Sequence, residues 1–234
     1  MATINDPNVP ANVARVGAVD TSAGGQSQHV VLRPDEYGNL GHYRAHVFTG
    51  NIAAGAGALS ELVQLRYTGA GKVVVYNVIL EHFRSLGTAF AAGNFLFDVI
   101  RSINWTVDGT GGATQVPIRL RTSMAVPTAT VRVSTTAALG AGTKTLDAVA
   151  LRAIRGIAST AVNAMQLGLI SAAANITVGY PGAVPLLPAM GDIPTGSHPL
   201  VLATNEGLSC RATVPATGVW EAAFTILFAE VAAY

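Results

Sequence analysis

The residues able to do chemistry are few and scattered. His42 and His46 stand four apart. On a helix that spacing would put two imidazoles on one face, within reach of one metal ion. The segment Gly41–Phe48 reads as a strand, where four residues span about 13 Å, so the pair cannot share a metal. His29, His82 and His198 are isolated and read as surface or interface residues. Gly69-Ala70-Gly71-Lys72 has the outline of a phosphate loop. That chemistry needs Ser or Thr after the lysine and then a helix, because the hydroxyl holds magnesium and the helix N-terminus holds phosphate. Val73 follows instead, and a strand begins. Gly55-Ala56-Gly57 lacks the third glycine of a dinucleotide loop. Cys210 is the single cysteine, which excludes an intrachain disulfide framework and a cysteine-based zinc site. It falls on the apolar parity of a strand, where a thiol is inert core. No Gly-x-Ser-x-Gly elbow occurs. Paired carboxylates for glycoside hydrolysis are a spatial property, but 13 acids and 6% aromatics offer little to build a sugar groove. Asn104-Trp105-Thr106 and Asn175-Ile176-Thr177 fit the N-glycosylation pattern but carry no meaning without a secretory signal. The expectation is a chain with no catalytic, cofactor-binding or metal-binding residue, no cofactor and no enzymatic activity.

The elements that must position any site read as strands. In 94–105, Phe95, Phe97, Val99, Ile103 and Trp105 share one parity, with Arg101 the exception, which predicts a long half-buried strand. Lys72 to Arg84 is apolar at both parities, the signature of a strand covered on both faces. Ser60–Tyr67 precedes it through Thr68-Gly69-Ala70-Gly71, which reads as a hairpin loop. Ile118 and Leu120 alternate with Arg119 and Arg121, and Val131 and Val133 with Thr130 and Arg132. Near the C-terminus Leu208, Cys210, Ala212 and Val214 form one stripe. After Pro215-Ala216-Thr217-Gly218, Trp220, Ala222, Phe224, Ile226 and Phe228 form another. Two period-two runs around a short loop predict an antiparallel hairpin. Residues 146–157 fit both a helical stripe (Leu146, Val149, Ala150, Ala153, Ile154, Ile157) and a strand, and both readings stay open. The fold expected is all-β: an antiparallel β-sandwich or jelly-roll-like domain over 35–234, with an extended N-terminal arm over 1–34.

Composition bounds the partners. Charged residues make up 12% of the 234, about half the roughly 25% usual in soluble domains. The net charge of +1 gives no basis for binding nucleic acid or a membrane surface. The N-terminus has neither a basic region nor an apolar core, so no signal peptide is expected. A mean hydropathy of +0.42 excludes disorder throughout. So thin a cover of charge predicts that part of the surface lies against other protein. The tract 157–195, apolar without core periodicity, is expected to supply such contacts around Leu167–Ile170 or Val184–Leu187. Twelve of the 14 basic residues are Arg, which suits interfaces but follows equally from a GC-rich genome.

Three segments carry a resemblance. They are Leu120-Arg121-Thr122-Ser123-Met124, the run Val131 to Ala148 (Val-Arg-Val-Ser-Thr-Thr-Ala-Ala-Leu-Gly-Ala-Gly-Thr-Lys-Thr-Leu-Asp-Ala), and His198 to Trp220. Over about residues 35–232 the chain resembles a family of small virion structural proteins of tailed bacteriophages. The resemblance implies a non-enzymatic virion component assembled in the host cytoplasm. Its expected partners are itself, as a homo-oligomer with a trimer the favoured count, and the major capsid protein or other virion proteins. A capsid cement or decoration protein is favoured, because an arm lying across neighbours clips subunits together. A tail-associated or fibre protein for host attachment is the alternative, and a carbohydrate-binding or hydrolytic module comes third.

Overall fold

The structure, a computed structural model, describes residues 41–53, 56, 59–86, 91–158, 184–187 and 199–233, with the backbone of 19–20 and 26–27. The chain divides into two units, Met1–Glu36 and Tyr37–Tyr234. In the first, β1 (Val19–Asp20) and β2 (Gln26–Ser27) pair antiparallel, Val19 opposite Ser27. The rest of the expected arm lies outside the described residues.

The second unit is all β, with two antiparallel sheets packed as a sandwich and no helix among the described residues. The first sheet runs β11 (Thr143–Leu146), β7 (Gly93–Val107), β15 (Glu206–Thr213), β5 (Ser60–Tyr67), β10 (Thr130–Val133), β8 (Ala113–Gln115), and β12 (Arg152–Ala158) also pairs β7. The second runs β13 (Val184–Leu187), β6 (Lys72–Ser85), β16 (Val219–Val231), β3 (Gly41–Phe48), β9 (Ile118–Arg119). There β14 (Leu200–Leu202) pairs β6 and β4 (Ile52–Ala53) pairs β16.

The two C-terminal stripes are core, as their alternation requires: Leu208, Cys210, Ala212, Val214, Trp220, Ala222, Phe224, Ile226 and Phe228 are all buried in one cluster. Their pairing differs from the expected hairpin. β15 pairs with β5 and β7, whereas β16 pairs with β3 and β6. The turn after Val214 therefore carries the chain from one sheet to the other. The stripes meet across the roughly 10 Å between layers, not side by side. The connection 68–71 does the same for β5 and β6, so it is not a hairpin loop either. Alternation fixes which face a strand buries and leaves its neighbour open.

Strand β6 needs a second correction. Its register against β16 shifts twice, between Ala223 and Phe224 and between Leu227 and Phe228, at Glu81 and at Tyr76. Each bulge moves the inward phase by one residue. The core residues are consequently Val73 and Val75, then Val78 and Leu80, then Phe83. Apolar residues at both parities record these shifts more than burial of both faces, although outward Val74 is also buried.

The 146–157 ambiguity resolves to strand. β11 and β12 pair successive stretches of one edge of β7, Val107 to Ser102 and Val99 to Gly93. Residues 147–151 bridge the gap, held by Asp147 N–H to Arg101 O and Leu151 N–H to Val99 O. Arg101, the exception on its stripe, forms an ion pair with Asp147 at 2.8 Å. A long open edge satisfies backbone groups that a lone helix would have to satisfy internally. Ile154 packs against the core while Val149 is exposed, which is no helical stripe.

β13 pairs β6, and its Leu186 is fully buried in this chain's own core. The expectation that Val184–Leu187 is buried between subunits is therefore corrected at Leu186. Leu167–Ile170 lies outside the described residues.

Candidate functional site

Both sheets end on one side in very short edge strands, β8 and β9, which lie within the segment 113–126. Apolar side chains follow one another along it facing solvent: Val116 (74% exposed), Ile118 (62%), Leu120 (55%) and Val126 (70%). Arg119 and Arg121 are exposed as well, so the alternation with Ile118 and Leu120 separates no buried face from an open one. The segment is held firmly from beneath. Leu120 N–H donates to His42 O at 3.0 Å, and the Tyr43 hydroxyl to Ala125 O at 3.0 Å. Arg119 Nη1 donates to Met124 O at 3.0 Å. The buried Glu230 carboxylate accepts the N–H groups of Thr128 and Ala129, both at 2.8 Å. A pre-organised apolar surface loses little conformational entropy on docking.

The outer face of the second sheet gathers the histidines. β3 is a strand, as the spacing argument for His42 and His46 supposes. His42 stacks on Tyr76 with ring centroids 5.7 Å apart. His46 Nδ1 lies 2.8 Å from Thr225 Oγ1, across the ladder. His82, read as isolated, contacts Glu221 Oε1 at 3.2 Å and the exposed ring of Phe48 at 5.5 Å. His29 and His198 lie outside the described residues. Among the described residues no group of three or more His, Cys, Asp or Glu is placed to hold a metal ion.

The outer face of the first sheet holds what the sequence reading missed, a buried polar network. In β5 the register against β15 slips between Cys210 and Arg211, leaving Leu62 unpaired. This bulge puts Glu61 and Gln64 on the same face, although strict alternation would place them on opposite ones. Glu61 Oε2 accepts hydrogen bonds from Gln64 Nε2 (2.6 Å), Ser209 Oγ (2.9 Å) and Lys144 Nζ. Lys144 lies over the Trp105 ring, 4.0 Å from its centroid, a cation–π contact in a desolvated site. Trp105 itself leaves the Phe95–Phe97–Val99 stripe. Asn104 has φ of 52°, which breaks the alternation and turns the indole to the outer face. There it lies against Gly207, where an added Cβ would come within 2.6 Å of the ring. The signal available in the sequence was a glutamate inside an apolar strand, and one of only two lysines.

Burial pushes the Cys210 thiol well above its ordinary range. It also raises the phenols of Tyr43 and Tyr67, with the Glu230 charge adding to both. All three are held neutral in the fold. Above their unfolded values, 9.0 for the thiol and 10.0 for the phenols, the unfolded chain has released protons that the folded chain keeps. Stability present below these values is therefore lost as pH rises. Lys144, lowered by burial against the opposing pull of Glu61, works in the other direction, one group against three. The urea midpoint should hold up to about pH 9 and then fall, with Cys210 alone contributing about 1.4 kcal/mol per pH unit. Cys210→Ala should delay the onset towards pH 10. A flat profile through the alkaline range would contradict this account.

These features define a β-sandwich with buried charges on both sheets and with four of its exposed apolar residues, Val116, Ile118, Leu120 and Val126, on one edge segment, while Phe48, Val107, Val149 and Leu151 are exposed elsewhere. Comparison with protein-family models, curated proteins and solved structures finds no match for this chain.

Proposed function

We propose that the chain is a non-enzymatic structural component of a tailed-phage virion, a capsid cement protein that oligomerises on the particle surface. The observation that carries this reading is the pinned apolar segment with Val116, Ile118, Leu120 and Val126 facing outward. An exposed apolar run on a firmly held edge marks a contact surface, and edge strands left bare would invite uncontrolled pairing. The low charge content and the resemblance over 120–124, 131–148 and 198–220 support the same reading. The neutral net charge suits protein partners better than nucleic acid.

The test is Ile118→Asp with Leu120→Asp. Both residues are solvent-facing, so the double variant should keep the thermal stability of the parent. It should sediment as a monomer where the parent is an oligomer, and bind particles at least tenfold more weakly. A parent chain that is monomeric and does not bind particles would overturn the proposal. Copies of the protein counted in purified particles separate a cement protein, present many times over the shell, from a tail part present in few.

A further inference from the structure

The network around Glu61 holds an amine, a primary amide and a carboxylate oxygen shared between them, sealed from water. We propose that Lys144 and Gln64 join in an intramolecular amide cross-link between β11 and β5, with Glu61 carrying the protons. Glu61 Oε2 accepts from both Lys144 Nζ and Gln64 Nε2, the latter at 2.6 Å. One atom is thus in contact with the proton to be taken and with the group to be released. The amide orientation is set by its bonds: Nε2 donates to Glu61 Oε2 and to Gly140 O at 2.9 Å, and the reverse placement would set an oxygen against a carboxylate. Ser209 Oγ, 2.9 Å from the same carboxylate oxygen and 3.2 Å from Nζ, is a positioning residue.

The environment favours the reaction over its competitors. The Lys144 side chain is 2% exposed and that of Glu61 7%, so water does not reach the acyl carbon. Burial lowers the affinity of the Lys144 amine for its proton, which raises the share of neutral nucleophile. The step balances without an outside reagent. The lone pair of the neutral Nζ attacks Cδ of Gln64, the carbonyl π electrons move to Oε1, and Glu61 takes one of the two Nζ protons. The carboxyl then gives that proton to Nε2, the electrons return, the Cδ–Nε2 bond breaks and ammonia leaves. One C–N bond forms, one breaks, and nothing is oxidised or reduced. Gln64 Oε1 has no hydrogen-bond donor among the described residues, so charge building there is not relieved and the reaction is slow. The link would close the chain between positions 64 and 144, a constraint on the unfolded state of the kind a disulfide supplies. With Cys210 alone, no disulfide within the chain can do so.

The experiment is intact mass spectrometry of the full chain, fresh and after days of incubation, followed by sequencing of the protease digest. The expected result is a mass lower by one ammonia, with a branched peptide joining Lys144 to Gln64. Glu61→Ala should keep the full mass. Gln64→Met, which keeps the volume of the side chain, should also keep it, and serves if Glu61→Ala does not fold. A folded parent chain that stays at full mass overturns the proposal. So does loss of one water with Lys144 joined to Glu61, or cross-linking of Glu61→Ala at the parent's rate.

Discussion

Phe224→Ala should lower the stability of the sandwich by about 3–5 kcal/mol, out of the roughly 5–15 kcal/mol typical of a domain. Phe224 is fully buried in the middle of β16, the strand that pairs both β3 and β6. Its ring lies 6.4 Å from that of Phe97 on the opposite sheet. Phe97 in turn packs on Phe83 at 4.8 Å, and Phe83 on Trp220 at 5.3 Å. Truncation therefore opens a cavity between two layers whose backbones are tied into seven-stranded sheets and cannot collapse to fill it. Urea titration of parent and variant measures the loss. An unchanged midpoint would mean that β16 faces the other way.

Asp98→Ala should cost about as much, roughly 3–5 kcal/mol, for an electrostatic reason. Asp98 on β7 and Arg211 on β15 stand directly opposite in the ladder. The guanidinium donates through Nε at 2.8 Å and Nη2 at 2.6 Å to the two carboxylate oxygens, and both side chains are nearly covered. Removing the carboxylate leaves Arg211 buried and charged with its fork unsatisfied. Replacing both partners, Asp98→Leu with Arg211→Leu, should recover most of the loss, because the penalty belongs to the orphaned charge and not to the missing pair. A double variant as unstable as the single would show that the bidentate pair itself contributes the stability.

Much of the fold was legible because burial is a property each residue carries with it. The stripes Leu208–Val214, Trp220–Phe228 and Phe95–Val99 announce themselves by period two, and all are core. Val131 and Val133 behave in the same way. Where the reading failed, an event between strands intervened. Bulges opposite Ala223–Phe224 and Leu227–Phe228 disguised β6, and the left-handed Asn104 moved Trp105 to the other face. The Glu61–Gln64–Lys144 network was invisible for the same reason, since its members meet only through the bulge at Leu62 and a lysine reaching in from β11. Ile118 and Leu120 are a case where alternation carries no burial. They alternate with Arg119 and Arg121, but the segment lies at the rim and all four residues are exposed.

By itself, then, the sequence determined that the chain is all-β and which side chains most of its long strands bury. Only the tertiary structure decided that consecutive strands such as β15 and β16 belong to different sheets, that 152–158 is a strand and that the polar network lies on an outer face. The division has a physical cause. Transfer from water is nearly additive over side chains and so can be read locally. Backbone hydrogen bonds of a sheet are supplied by other parts of the chain, and which edge is free to supply them is known only once the whole fold exists.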